Sequence, residues 1–279
     1  MDTTELKQFY DTHGFAVARG LFSRAEVAAM REHFMEARTR PSPWDDTGVD
    51  IGSDDPIKRY PRFIMPHRWD ATARDWLLDP RLRDCMTALL GEPPYASQTM
   101  VYFKPPGARG QALHQDNYYL RVAPGTCMAA WLALDDCDQA NGCMEMVPGS
   151  HQWDLLCTID ADTKISFTSV TVPLPPGVQP VPVTMQAGDV LFFPGSMVHG
   201  SGPNTTTDRF RRALIGHYVQ GTAEQMSKGY QPLLTWEGDE VTLTANEVEG
   251  SVCGVWVEKN GEPAIEMAGQ ERLIRRKGE

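Results

Sequence analysis

The sequence predicts a mainly β protein with flanking helices, in which the strands form a double-sheet barrel or a cupin-like jelly roll. Two observations support this fold class. Before residue 96 the apolar side chains recur at helical spacing, whereas residues 96–219 contain roughly eight short apolar runs with turn residues between them. Many short strands separated by turns are typical of closed or double-sheet β architectures.

The N-terminal part predicts three helices and one short strand. Residues 4–13 carry apolar side chains at helical spacing, and residues 15–18 have the composition of a strand. The segment Ser23-Arg24-Ala25-Glu26 is a capping box that begins a second helix, which runs to about residue 38. Asp79-Pro80 begins a third helix, which Gly91 ends.

Residues 39–75 are rich in Pro, Asp and Arg, show no regular period, and are therefore expected to form a long loop. Cations cluster in it although the protein is acidic. They could form a solvated charged surface, or a lid whose charges meet an anionic group of a substrate. The cluster comprises Lys58, Arg59, Arg62, His67 and Arg68.

The remaining chain predicts the β core and a tail. We expect one domain over residues 1–220 and a C-terminal extension over 221–279 that packs on the same domain. The tail contains two strand-like pieces, 241–244 and 255–257. In the core, strands are expected at 98–104, around His114, and at 126–134, 143–147, 166–172, 181–185, 190–193 and 210–219.

Composition excludes several function classes. The net charge of −11 provides no basic surface for nucleic acid and disfavours binding to anionic membranes. No apolar run is long enough to span a bilayer, and the first residues do not resemble a signal peptide. The six cysteines are scattered without a Cys-x-x-Cys pattern, so we expect neither a disulfide framework nor a zinc knuckle. These features predict a cytoplasmic protein.

His114 and Asp116 are the strongest candidates for chemistry. Because they are two residues apart, they would share one face of a β-strand, and His199 follows a later apolar strand. Two histidines and one carboxylate can occupy one face of an octahedral metal, as in non-heme Fe(II) oxygenases, and leave the other face open to a co-substrate and O2. The spacing alone is common by chance, and a polar strand edge with an unrelated histidine is the alternative.

Several motifs together resemble the phytanoyl-CoA dioxygenase family of Fe(II)- and 2-oxoglutarate-dependent oxygenases, from the first helix to about Val219. In chain order these are His114-Gln115-Asp116, Trp131, Asn141-Gly142-Cys143-Met144, Val147-Pro148-Gly149-Ser150-His151, Gly188-Asp189-Val190, His199-Gly200-Ser201-Gly202 and Phe210-Arg211-Arg212-Ala213.

The resemblance implies a double-stranded β-helix core and a dioxygenase. Such an enzyme decarboxylates 2-oxoglutarate to succinate and CO2 and oxidises a small molecule by hydrogen abstraction, with O2 as the other co-substrate. His114, Asp116 and His199 match the Fe(II) ligands. Related halogenases lack the ligand carboxylate, which Asp116 retains, so hydroxylation or another outcome of hydrogen abstraction is favoured over halogenation.

The resemblance also implies an arginine that binds the far carboxylate of 2-oxoglutarate. Arg211 occupies that place in the motif, and Arg212 is the rival. Strand parity favours Arg211, because it shares its face with Ala213 and Ile215, which are apolar. A guanidinium suits the role because it grips a carboxylate with two parallel hydrogen bonds. A surface salt bridge is the alternative for Arg211.

Three further residues are implied in cofactor binding. Gln98 would lie beside 2-oxoglutarate or the substrate, with Tyr102 on the same strand face, and Trp131 would line the same pocket. A core aromatic is the alternative for Trp131. His151 and His217 are expected to support or pack against the site rather than bind metal.

Two other functions remain open at the level of sequence. One is a cupin-like metal-dependent isomerase or hydrolase that does not use 2-oxoglutarate. The other is a non-catalytic binding protein, which would not need all three metal ligands. The substrate is expected to be a small molecule, and the cationic loop favours one with an anionic or zwitterionic group. The sequence does not predict an oligomeric state.

Overall fold

The computed structural model describes residues 3–39, 50, 52–247 and 253–268. The helices are α1 Thr3–His13, α2 Arg24–Ala37, α3 Pro56–Arg59, α4 Ala71–Leu77, α5 Pro80–Leu90 and α6 Asn117–Leu120. The strands are β1 Ala16–Ala18, β2 Phe63–Ile64, β3 Tyr95–Tyr102, β4 Gln111–His114, β5 Cys127–Ala133, β6 Met144–Met146, β7 Ile159–Asp160, β8 Val170–Thr171, β9 Val181–Val183, β10 Val190–Pro194, β11 His199–Ser201, β12 Ala213–Val219, β13 Gln225–Met226, β14 Leu233–Leu234, β15 Glu240–Val241, β16 Thr244–Ala245, β17 Gly254–Lys259 and β18 Glu262–Met267.

Two antiparallel sheets form the core. The larger sheet has the order β1-β10-β5-β12-β3-β14-β15, and β2 also pairs with β3. The smaller sheet has the order β4-β11-β6-β9. Neighbours within each sheet are mostly distant in sequence, as expected when a chain winds back and forth between two sheets. The predicted jelly roll, a double-stranded β-helix, is confirmed.

The helices cover the outer face of the larger sheet. Trp76 and Leu77 of α4 and Met86 of α5 belong to the same buried apolar cluster as Leu214 and Tyr218 of β12. The Tyr218 hydroxyl donates a 2.7 Å hydrogen bond to the Leu77 carbonyl, which satisfies its polar end inside this layer. The inner face of the larger sheet therefore lines the cavity between the two sheets.

The predicted helix boundaries are confirmed where capping residues mark them. Ser23 and Glu26 form both hydrogen bonds of the capping box at the start of α2. Asp79 caps α5, and Gly91 ends it with a φ of 86°, a conformation that glycine adopts without strain. None of the helices in the described part of the chain combines the length and apolar composition needed to cross a bilayer.

The prediction of one long loop over residues 39–75 is wrong in its described part, which contains α3, β2, α4 and a 3-10 turn at 66–68. Residues 40–49 and 51 lie outside the described residues. Strand β2 has only two residues, and it forms only because these residues pair with Val101 and Met100 of β3. Such an element depends on a tertiary partner and leaves no local pattern. Likewise, only Val170–Thr171 of the strand expected at 166–172 is a strand.

The tail adds strands to the core. Leu234 of β14 pairs with Ala96 of β3, so this part of the tail extends the larger sheet. The hairpin β17–β18 lies elsewhere: Gly254 bridges to Leu156, and the Trp256 ring packs edge-on against Trp153 with 5.1 Å between centroids. The division into two units at residue 220 stays a prediction.

The cysteine pattern predicts no disulfide framework and does not single out any cysteine pair, but Cys157 and Cys253 are bonded. They are 96 residues apart in sequence. They meet because the chain around Gly254 runs beside Leu156, with the Cys157 N–H donating to the Gly254 carbonyl. This pairing follows from tertiary structure, so cysteine spacing could not reveal it.

His67 is held as a neutral imidazole beneath β3. The Thr99 hydroxyl lies 2.8 Å from Nδ1 and accepts the His67 backbone N–H at 3.0 Å. The hydroxyl can therefore donate its own proton to Nδ1. Burial first, and then the charges of Arg68 and Arg74, lower the pKa of His67 to about 4.

This lowered pKa predicts a loss of stability in mild acid. Below pH 6.5 the unfolded chain binds a proton at His67, whereas the folded protein does so only near pH 4. The free energy of unfolding should fall across that window by on the order of 2–3 kcal/mol from this group. Urea unfolding at pH 7.5 and 4.5 measures it. In His67→Asn the free energy of unfolding should fall less between these two pH values than in the unsubstituted protein. An equal fall in both proteins would contradict the assignment.

Candidate active site

His114 and His199 lie side by side on the smaller sheet. They are directly paired in the register of β4 and β11, with 4.1 Å between ring centroids. Gly200 follows His199 where the strands approach closely: a Cβ there would lie 2.8 Å from the Gln111 carbonyl oxygen. The antiparallel pairing thus brings together two histidines that are far apart in sequence.

Asp116 lies close to these histidines, but not on the strand that the spacing predicted. Strand β4 ends at His114, and Asp116 has helical angles, φ −64° and ψ −34°, at the start of α6. Buried Gln115 fixes this turn, because its amide nitrogen donates to the Ser196 carbonyl at 2.8 Å and its amide oxygen accepts from Leu156 N. The prediction that His114 and Asp116 share one face of a strand is therefore wrong. The prediction that their side chains lie close together is correct.

Each histidine is oriented by its own backbone. Nδ1 of His114 lies 2.9 Å from the Ala112 carbonyl, and Nδ1 of His199 lies 3.0 Å from the Met197 carbonyl. Because a carbonyl only accepts, both Nδ1 atoms carry the proton and both Nε2 atoms keep a lone pair. Burial lowers the pKa of His199 to about 4, which also favours the neutral ring.

The Asp116 carboxylate faces both lone pairs. Oδ1 lies 3.5 Å from His114 Nε2, and Oδ2 lies 3.7 Å from His199 Nε2. Burial alone would raise the pKa of Asp116, but the hydrogen bond that it accepts from His217 helps to hold this pKa well below its usual value. The group is therefore an anion between imidazoles.

One ligand atom from each of the three residues lies within 4.8 Å of the others. Two neutral imidazole nitrogens and one carboxylate oxygen are the donor set of the Fe(II) facial triad, so the residues fit this metal. The Gln111 amide nitrogen lies 3.0 Å from His114 Nε2, a contact that a metal would displace.

All seven predicted site residues line one cavity of about 350 Å³ between the two sheets. The smaller sheet and α6 contribute the metal-binding side, and β3, β5 and β12 contribute the opposite wall. The predicted residues are His114, Asp116, His199, Arg211, Gln98, Tyr102 and Trp131.

Arg211, just before β12, is the buried cation of this cavity, with 2% of its surface exposed. Nε donates to the Gly142 carbonyl at 3.0 Å, one terminal nitrogen donates to Ser201 Oγ at 3.3 Å, and Nη1 has no hydrogen-bond partner among the described residues. The guanidinium carbon lies 5.2 Å from the Trp131 ring centroid. Arg212 instead makes a bidentate ion pair with Asp135, with both distances 2.8 Å.

Lys104 is a second buried cation, which the sequence analysis gave no role. Its ammonium donates to Ser201 Oγ at 3.0 Å and to the carbonyls of Gly142 and Gly202. Burial, with the neighbouring charge of Arg211, lowers its pKa well below the usual value. Ser201 was also missed. The signals for these two residues were that Lys104 ends a predicted strand and that Ser201 belongs to the motif His199-Gly200-Ser201-Gly202.

The other predicted residues occupy different parts of the wall. Trp131 is both a core side chain and a cavity wall, so its two interpretations hold together. Tyr102 lies near the Phe167 ring, with 6.5 Å between centroids. Gln98 faces the cavity, but its amide oxygen lies 2.9 Å from His217 Nδ1.

The proposed cationic lid is mostly not at the site. Arg62 lines the cavity, with its guanidinium carbon 4.4 Å from the Phe167 centroid. Lys58 and Arg59 are exposed and do not line it, His67 is buried beneath β3, and Arg68 donates to the Gln231 carbonyl. Of the two alternatives for this cluster, the solvated surface fits exposed Lys58 and Arg59, and the lid is wrong for these four residues because the segment folds into separate elements.

An enzyme that uses iron and 2-oxoglutarate needs an open metal face and a cation for the distant carboxylate, and this cavity offers both. The protein is thus a non-heme iron and 2-oxoglutarate-dependent oxygenase. Residues 10–213, well over half of the sequence, match the family described as phytanoyl-CoA dioxygenase (PhyH). The chain belongs to this family.

Named relatives agree with this assignment. Phytanoyl-CoA dioxygenase 1 of Oryza sativa subsp. japonica is 27% identical over 262 residues, which cover 81% of this chain and 92% of the relative. The peroxisomal phytanoyl-CoA dioxygenase of Bos taurus is 25% identical and covers 79% and 72%.

Solved structures share the fold. The epimerase SnoN in complex with Fe3+, alpha ketoglutarate and nogalamycin RO superposes with a TM-score of 0.64 at 23% identity, covering 80% of this chain and 85% of that one. AviO1 from Streptomyces viridochromogenes Tue57 has a TM-score of 0.58 at 26% identity, covering 80% and 96%.

Proposed function

We propose that the protein oxidises an unactivated carbon of a small molecule, by hydroxylation or another reaction that begins with hydrogen abstraction. The observation that carries this proposal is the convergence of three ligand atoms within 4.8 Å at a cavity that also contains a buried arginine. His114, Asp116 and His199 would hold Fe(II). The bound iron would couple O2 reduction to the decarboxylation of 2-oxoglutarate to succinate and CO2.

Arg211 is the proposed site for the distant carboxylate of 2-oxoglutarate. Support comes from its unpartnered Nη1 and from its neighbours, because the hydrogen-bond acceptors recorded for Arg211 and Lys104 are neutral carbonyl and hydroxyl oxygens. The buried guanidinium of Arg211 favours an anion at this place, and the Lys104 side chain beside it provides further N–H donors. Ser201 Oγ, which both cations reach, would complete the contact, with Trp131 as the wall.

The cavity volume restricts what can enter with the co-substrate. About 350 Å³ is near the lower end for ligand pockets, and this space must hold 2-oxoglutarate as well as the reacting carbon. A small substrate could enter whole. A large one, such as a coenzyme A thioester, could place only its reacting end inside.

An anaerobic titration tests the proposal. Fe(II) and 2-oxoglutarate together should produce a weak visible charge-transfer band, and aerobic protein should release succinate when a substrate is present. A protein that binds metal but gives neither the band nor succinate would favour the cupin-like isomerase or hydrolase instead.

Arg62 is the proposed contact for an anionic or zwitterionic substrate. Of Lys58, Arg59, Arg62, His67 and Arg68, only Arg62 lines the cavity, and its packing on Phe167 holds the guanidinium at the wall. A fixed cation at this place would attract a carboxylate or phosphate group and would disfavour neutral compounds.

Removing this charge should change substrate binding selectively. Once succinate release has identified a substrate among amino acids, phosphonates, acyl thioesters and neutral analogues, Arg62→Ala should raise its KM about 10-fold or more. Arg62→Lys should recover part of the loss. Lys58→Ala is the matched control, because Lys58 is exposed and outside the cavity. Equal KM values for Arg62→Ala and Lys58→Ala would contradict the assignment.

We also propose that the protein works in the cytoplasm. Four cysteines (Cys85, Cys127, Cys137 and Cys143) are buried free thiols, which supports a reducing environment. The Cys157–Cys253 disulfide is the opposing feature. Thiol alkylation at cell lysis tests the proposal: a fully alkylated protein would support it, and a recovered disulfide would contradict it.

A further inference from the structure

We propose that His217, held by Gln98, positions the carboxylate of Asp116 for metal binding. This inference rests on the proposed metal site. It assigns roles to two residues that were expected only to support the site or to lie beside 2-oxoglutarate.

The three side chains form one buried chain. His217 on β12 is 3% exposed, and its Nε2 lies 3.1 Å from Asp116 Oδ2. Its Nδ1 lies 2.9 Å from the amide oxygen of Gln98, which is 6% exposed. Gln98 and His217 are register partners on β3 and β12, so the larger sheet fixes both ends of their contact.

The direction of the contact with Asp116 follows from its chemistry. An ionised carboxylate only accepts hydrogen bonds, so Nε2 of His217 must donate. In the neutral imidazole Nδ1 then accepts, so the end of the Gln98 amide that faces it is the amide nitrogen, which exchanges places with the oxygen when the group turns by 180°.

Asp116 needs such support more than the histidines do. Each histidine is fixed by a hydrogen bond from its Nδ1 to the backbone carbonyl two residues before it. Asp116 lies on a turn, and no capping hydrogen bond from its side chain ties it to α6. His217 holds its Oδ2 from the opposite sheet. Of the three ligands, Asp116 alone then depends on a distant strand for its orientation.

Substitutions at His217 can separate this role from packing. The amide nitrogen of glutamine stands near the place of imidazole Nε2, whereas that of asparagine stands near the place of Nδ1. His217→Gln should therefore keep the donor to Asp116, and His217→Asn should keep only the contact with Gln98. His217→Leu removes both at similar volume.

The readout is the affinity of the metal-free protein for Co(II), measured by anaerobic titration of the visible Co(II) bands. His217→Leu should weaken binding about 10- to 100-fold, the usual range for a lost partner of a metal ligand. His217→Gln should stay within a few-fold of the unsubstituted protein, and His217→Asn should resemble the leucine variant. Should His217→Leu fail to fold, the glutamine and asparagine pair decides alone.

Gln98 should act only through His217. Gln98→Leu is expected to weaken Co(II) binding several-fold, and Gln98→Leu combined with His217→Leu should bind no more weakly than His217→Leu alone. Additive losses, equal glutamine and asparagine variants, or normal binding by His217→Leu would each overturn the proposal. Failure of the proposed function would look different, because the unsubstituted protein would then lack the 2-oxoglutarate band.

Discussion

Replacing His199 with alanine should abolish the charge-transfer band that forms with Fe(II) and 2-oxoglutarate. The ring would supply one of the three ligand atoms, and His217, another histidine beside the site, already uses its Nε2 for the contact with Asp116 Oδ2. We expect metal affinity to fall by more than about 100-fold, beyond the usual cost of losing an outer partner. Anaerobic metal titration and succinate release measure the two consequences.

His33→Ala is the matched control for that experiment. His33 lies on α2, outside the cavity lining, and pairs with Asp70 at 2.6 Å. Its loss should leave the metal affinity and the band intact, while the melting temperature reports any change in folding. A band that survives in His199→Ala, or that disappears in both variants, would contradict the assigned metal site.

The sequence predicts most of the fold because its local signals agree with the tertiary structure. The Ser23–Glu26 capping box and the Asp79-Pro80 start mark helices that form as expected. The sequence predictions fail where a feature forms only through contact with a part of the chain that is distant in sequence. Strand β2 forms through its pairing with β3, and the Cys157–Cys253 bond forms because the tail returns to Leu156.

The site shows the same limit at the level of single side chains. Motifs identify His114, Asp116 and His199, but the strand parity used for the first two does not apply, because the chain turns into α6 after His114. Parity does succeed for Arg211, which is buried while Arg212 pairs with Asp135. Lys104 and His217 act through contacts between distant strands, which one sequence without its fold does not reveal.

Arg211→Met should weaken 2-oxoglutarate binding about 100-fold or more while metal affinity stays unchanged. Two charge-assisted hydrogen bonds to a carboxylate contribute about 1.5–3 kcal/mol each, and each 1.4 kcal/mol is a tenfold change in affinity. Lys104 remains in the variant, but its three donors already meet Ser201, Gly142 and Gly202, so it should not take over. Titration of the Fe(II) protein with 2-oxoglutarate gives the dissociation constant.

Arg212→Ala separates the two arginines. Its guanidinium is committed to Asp135, so the substitution leaves a half-buried carboxylate without its bidentate partner and should lower stability by about 1–3 kcal/mol. The affinity of the Arg212→Ala variant for 2-oxoglutarate should remain near that of the unsubstituted protein. Arg211→Met should show the reverse pattern, because its buried charge has an unpartnered nitrogen in the free protein and gains its partner only when 2-oxoglutarate binds. If instead the Arg212 variant loses 2-oxoglutarate binding and the Arg211 variant keeps it, the carboxylate site lies on the other arginine.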